Sequence, residues 1–254
     1  MLNWIKFLGT AGGRVVVFRQ LRHSGGIWLN LEGINIMIDP GPGSLIRIFE
    51  NNLDPQNIDI FVLSHRHLDH SADINSVVES ATQSTKVKKD LLIAPKDAIE
   101  GEEPVFLKYL RKGIKNIIYT NENLNIEYKG INIKAHIKHK HRGADTYGLS
   151  FESKNKKIVY VPCGKFFEDM LYTYPKNADI MIFNTTFVKP KLAIDHLSAE
   201  DVKKMISYLK PKLAVLTHFS IHMLKENPDK VANNIEKETG IKTISAKDGM
   251  KLRF

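Results

Sequence analysis

Ser64-His65-Arg66-His67-Leu68-Asp69-His70-Ser71 packs metal-ligating side chains directly behind an apolar run. His65, His67, Asp69 and His70, all able to ligate a metal, fall within six residues. The apolar run at 58–63 just before them is short, rich in branched residues and follows Asp54-Pro55, which predicts a buried strand. His65 and His67 sit two apart, so in an extended segment they point the same way. Asp69 and His70 come where the chain turns into 73–81, a polar-apolar segment that reads as a helix. The pattern predicts a dense ligand cluster at the carboxyl end of a strand, where α/β folds often place their sites. Neutral imidazole and carboxylate suit zinc, manganese or iron.

The chain of 254 residues is 43% hydrophobic and 26% charged, enough for a substantial core. No apolar run approaches the ~18 residues of a membrane span. The start, Met1-Leu2-Asn3-Trp4-Ile5-Lys6-Phe7, lacks the basic-then-apolar pattern of a secretory signal. Cys163 is the single cysteine, so no internal disulfide forms. These features predict a cytoplasmic location and no membrane association. A net charge of +9 suits an anionic, nucleotide-like or other small substrate, and leaves nucleic acid and a homo-oligomer open.

Glycine punctuation divides the first part of the chain into short strands at 4–8, 15–18, 27–31 and 34–38. A tight turn, Asp39-Pro40-Gly41-Pro42-Gly43, follows, and 44–51 reads as a short helix. A strand is expected at 91–94, and a helix or surface loop at 96–113. At 131–141 apolar and polar residues alternate. That parity points His139 and His141 inward and His136 toward solvent. Strands follow at 149–152, 158–161, 178–183 and 213–216. Ser198 with Asp201 three residues on resembles a capping pair for a helix carrying Val202, Met205, Ile206 and Leu209. A last helix is expected at 228–239, stopped by Gly240, then strands at 241–244 and 250–254. No linker or composition break appears, so 1–254 reads as a single domain.

The H-x-H-x-D-H pattern after an apolar strand resembles the metallo-β-lactamase superfamily of metal-dependent hydrolases. Phe7-Leu8-Gly9-Thr10, Ile38-Asp39-Pro40-Gly41 and Leu216-Thr217-His218 resemble further landmarks of it, so the likeness spans nearly the whole chain. The resemblance implies a four-layer αββα sandwich. It implies two divalent ions, zinc first, with His65, His67 and His141 on one and Asp69, His70 and His218 on the other. His141, before Arg142-Gly143, matches the family spacing better than His139. Asp39 takes a supporting role beside the metal loop. The family usually ends the 158–161 strand with a bridging aspartate. Cys163 stands there instead, either as a thiolate ligand that favours zinc or as a small buried apolar residue. His196, on a loop before a helix, matches the histidine that protonates the leaving group in ribonuclease Z-like nucleases.

Such a site lowers the pKa of a bound water to about 7 and makes the chain a hydrolase, with Asp69 orienting the nucleophile. A phosphodiester is the first reading of the substrate. The basic charge, His70 and His196 favour it, while no long basic arm of the kind used on transfer RNA is present. A carboxylic ester, lactone or thioester is the second. A metal-binding module without turnover is the third.

Overall fold

The computed structural model describes residues 3–254; Met1 and Leu2, part of the stretch read for a signal segment, lie outside the described residues. The chain forms two compact units, each discontinuous in sequence. The first comprises residues 3–10, Arg22–Thr120 and Lys247–Phe254; the second comprises Ala11–Leu21 and Asn121–Ala246.

The first unit is built on a seven-stranded mixed sheet. Its order is Lys251–Arg253, Trp4–Phe7, Ile27–Leu31, Ile34–Ile38, Ile60–Val62, Lys89–Pro95, Ile114–Thr120. The first four strands pair antiparallel, and the rest run parallel from Ile34–Ile38 onward. Ile60–Val62 is buried at every residue, as expected of a strand lying between two parallel neighbours. Trp28, Met37, Phe61, Leu63 and Leu92 form the core with Ile74, Val77, Val78 and Ala81 of the helix Ile74–Ala81. The segment 96–113 resolves into a short helix, Lys96–Glu100, and a 3-10 turn, Lys108–Gly113.

The second unit carries the sheet Thr243–Ser245, Leu213–Thr217, Ile180–Phe187, Lys157–Val161, Tyr147–Glu152, Ile131–Lys138, Asn125–Tyr128; Leu197–Ser198 pairs alongside Ile180–Phe187. Its first four strands are parallel and the remainder antiparallel. The helices Ala199–Leu209 and Pro228–Thr239 bury Val202, Met205, Ile206, Leu209, Val231 and Ile235 against Met181, Phe183, Ala214 and Leu216. Ser198 and Asp201 form the capping box read from the sequence: the Ser198 hydroxyl accepts from the Asp201 amide, and the Asp201 carboxylate accepts from the Ser198 amide.

Two expectations need correction. Residues 15–18 are not a strand but lie in a helix, Arg14–Phe18. The apolar run Val15-Val16-Val17-Phe18 has β propensity, yet only Val16 is buried in that helix, and Phe18 is 77% exposed. Propensity loses to context here: the Gly12 amide bonds the Phe219 carbonyl, and Gly13, at φ +70°, turns the chain into a helical turn. His136 is not a surface residue; it is half-buried, with its ring 5.0 Å from that of Tyr174. The alternation holds through His136, which shares the parity of Asn132 and Lys134, but the helix Asp169–Thr173 and Tyr174 after it pack on that face and cover the ring.

Candidate metal-binding residues

In the first unit, the metal loop begins two residues after Ile60–Val62 ends. Asp39 organises it. Its Oδ1 accepts the Ser64 amide at 2.6 Å, and its Oδ2 accepts the Ser64 hydroxyl at 2.6 Å and His70 Nδ1 at 2.9 Å. The Ser64 hydroxyl gives its one hydrogen to the carboxylate, so at 3.0 Å from His65 Nδ1 it accepts. Both imidazoles therefore carry their proton on Nδ1 and keep a lone pair on Nε2, the state a metal ligand needs. Ligand atoms of Asp39, His65 and His70 all lie within 4.8 Å of one another. The His65 ring centroid is 4.8 Å from His67 and 4.1 Å from His70, and His70 Nε2 is 3.5 Å from Asp69 Oδ2. The Ser71 hydroxyl braces the loop, its one hydrogen lying between the Arg66 and His67 carbonyls at 2.9 and 3.0 Å. The structure thus places His65, His67, Asp69 and His70 together, with Asp39 hydrogen-bonded to Ser64 and His70.

In the second unit, three parallel strands end in polar residues that meet. Lys157–Val161 leads to Cys163, Ile180–Phe187 carries Asn184 and Thr186 near its end, and Leu213–Thr217 leads to His218. Cys163 Sγ lies 3.5 Å from His218 Nε2, and Asn184 Nδ2 donates to the sulfur at 3.3 Å while also donating to the Tyr160 hydroxyl. Two ligands on one tetrahedral zinc, at about 2.3 Å for sulfur and about 2.0–2.1 Å for nitrogen, stand about 3.5 Å apart. The Cys163–His218 pair fits that separation. His218 sits at φ +64°, a conformation rare for a side-chain-bearing residue. Gly12 makes room for it: a Cβ at Gly12 would lie 2.3 Å from His218 Nδ1.

His141 and His139 separate clearly. His139 is buried, donating from Nδ1 to the Cys163 carbonyl at 2.8 Å and accepting the Tyr174 hydroxyl on Nε2 at 2.6 Å. Burial lowers its pKa to about 4, so it is neutral, and both ring nitrogens are committed to protein. Burial likewise raises the Tyr174 phenol, which stays a donor. Gly148 admits that ring, since a Cβ there would meet the Tyr174 hydroxyl at 1.7 Å. His141 is half-buried and donates from Nδ1 to the Asp195 carbonyl at 2.9 Å. A carbonyl only accepts, so Nε2 keeps the lone pair, as in His65 and His70.

His196 lies beside these residues. Its ring is 5.1 Å from His141 and stacks on His218 at 5.6 Å. The buried Thr186 hydroxyl touches both His196 Nδ1, at 3.3 Å, and His218 Nδ1, at 3.0 Å. His222, the weaker competitor to His218, is exposed on the short helix Ile221–Lys225. Ser64, Thr186, Asn184 and Tyr174 were not singled out from sequence. A signal for two of them exists: the strand Ile180–Phe187 turns from the apolar run 180–183 to three consecutive buried polar residues, of which Asn184 and Thr186 share parity.

A model of the Beta-lactamase superfamily domain matches residues 34–219. An uncharacterized protein of Methanocaldococcus jannaschii is 28% identical over 98% of this chain and 94% of its own length. Ribonuclease Z of Sulfurisphaera tokodaii is 27% identical over 60% of this chain and 49% of its own, so the chain spans about half the length of that relative. Among solved structures, the metallo-β-lactamase fold protein YhfI from Bacillus subtilis superposes with a TM-score of 0.82 over all of both chains at 16% identity. No described helix is long and apolar enough to cross a membrane. The fold is the metallo-β-lactamase fold inferred from the loop at 64–71, and the chain belongs to the β-lactamase superfamily, as one of its hydrolases rather than a true β-lactamase.

Proposed function

We propose that the protein is a metal-dependent phosphodiesterase acting on a small, nucleotide-like anionic substrate. The observation that carries the reading is His196, a half-buried imidazole set against His141 and His218; we assign it to the leaving group rather than to a metal. The ribonuclease Z relatives and the net charge of +9 support the same substrate class. Carried residue by residue from the resemblance, His65, His67 and His141 hold one divalent ion, and Asp69, His70, Cys163 and His218 the other. Zinc suits this donor set, with manganese or iron as alternatives. Bound divalent ions polarise a phosphoryl oxygen and lower the pKa of a bound water to about 7.

The protein's own groups do the rest. Asp39 keeps His65 and His70 in the ligating tautomer. Asp69 orients the attacking water. His196 presents an N–H to the departing oxygen. The Asn184 amide steadies the Cys163 sulfur. The test is metal-loaded protein offered chromogenic phosphodiester, phosphomonoester, carboxylic ester and lactone. Phosphodiester turnover that disappears in Asp69→Ala is the expected result. Turnover of esters or lactones with none of the phosphodiester overturns the substrate class, and no turnover at all favours a binding module.

A further inference from the structure

The Thr186 hydroxyl contacts only His196 Nδ1 and His218 Nδ1 among the described residues. It is fully buried. A hydroxyl has one hydrogen to give and lone pairs with which to accept. If His218 ligates through Nε2, the nitrogen facing Cys163, its Nδ1 must carry the ring proton and donate to Thr186 Oγ1. The Thr186 hydrogen then has one acceptor left, His196 Nδ1. That nitrogen must present a lone pair, which puts the His196 proton on Nε2. His196 Nε2 has no hydrogen-bond partner among the described residues, so it is the end of the chain of donors.

We infer that Thr186 is a positioning residue: it transmits metal ligation at His218 into a fixed tautomer of His196, with Nε2–H aimed away from the pair. Through this arrangement His196 meets the substrate as a neutral hydrogen-bond donor to the oxygen on which charge develops. Such a donor contributes by electrostatic stabilisation and keeps its proton, and the departing oxygen takes its proton from water. The inference rests on the proposed function in one respect, the assignment of His218 as a ligand.

The experiment is long-range 1H–15N correlation on 15N-histidine-labelled protein, without zinc and with saturating zinc. Wild type with zinc should show a coordinated His218 Nε2, and a His196 with protonated Nε2 and bare Nδ1. Thr186→Val, saturated with zinc, should lose the single His196 pattern and give a mixture of tautomers; Thr186→Ser should restore it. In kinetics, Thr186→Val should lower kcat by roughly tenfold with little change in KM, and Thr186→Ser should recover most of it. A proton on His196 Nδ1 in zinc-loaded wild type overturns the inference by itself, even if Thr186→Val fails to fold. So does an unchanged His196 pattern in folded Thr186→Val. Zinc that leaves the His218 Nε2 resonance unmoved overturns it together with the ligand assignment, which separates the two failures.

Discussion

Asp39 holds two imidazoles through one carboxylate, His70 directly and His65 by way of Ser64. Removing such a support typically lowers metal affinity by about 10–100-fold. Asp39→Ala should therefore weaken zinc binding in that range in a chelator competition; unchanged affinity would remove Asp39 from the site. Gly12→Ala should also weaken zinc, because the added Cβ collides with the His218 ring and carbonyl. His136 makes a different prediction. Burial, reinforced by Lys134, lowers its pKa to about 4, below the ordinary 6.5 of an unfolded chain. The unfolded state therefore binds the proton first as pH falls, so the contribution of His136 is complete above about pH 6.5 and lost toward pH 4. Metal-free protein should lose stability across that window in urea titrations, and His136→Leu should lose less; equal slopes would contradict the assignment. The sequence made the metal loop legible because ligand identity and spacing are local properties. His139 has both ring nitrogens bonded to protein, whereas His141 donates from Nδ1 to the Asp195 carbonyl. Parity alone could not separate them, since what distinguishes them is Tyr174, thirty-five residues from His139, and a pairing shift that alternation does not encode.

Among the elements, the loop at 65–70 and His218 follow the carboxyl ends of buried strands with parallel neighbours on both sides, Cys163 follows a strand with one parallel and one antiparallel neighbour, and His141 follows a strand paired antiparallel on both sides. These apolar runs were readable as strands, and the tail helix Pro228–Thr239 ends where Gly240 takes φ +70°. The run at 15–18 reads as a strand yet forms a helix, because four apolar residues carry no record of whether a neighbouring strand exists to pair with them. The helix Ala199–Leu209 starts three residues after His196 and depends on its capping box. Ser198→Ala should cost about 1 kcal/mol, read as a lower urea midpoint at unchanged slope. A loss within error of zero would mean the cap adds nothing beyond the helix's buried face.

Across the whole molecule, each unit has its own sheet and its own core, yet neither is a continuous piece of chain. Residues 11–21 belong to the second unit although the first surrounds them in sequence, and Lys247–Phe254 returns to the first. We propose that 1–254 folds as a single domain, as the absence of any linker led us to expect. Thermal unfolding of metal-free protein should then show one transition by every probe, and two separated transitions would contradict it. We propose that histidines far apart in the chain serve the same pair of metal ions. Metal content per chain tests this most directly, for wild type, His65→Ala and His218→Ala purified and dialysed together. About two divalent ions per wild-type chain are expected, with a clear fall in each variant. Wild type without bound metal, or variants that both keep the wild-type content, would contradict it.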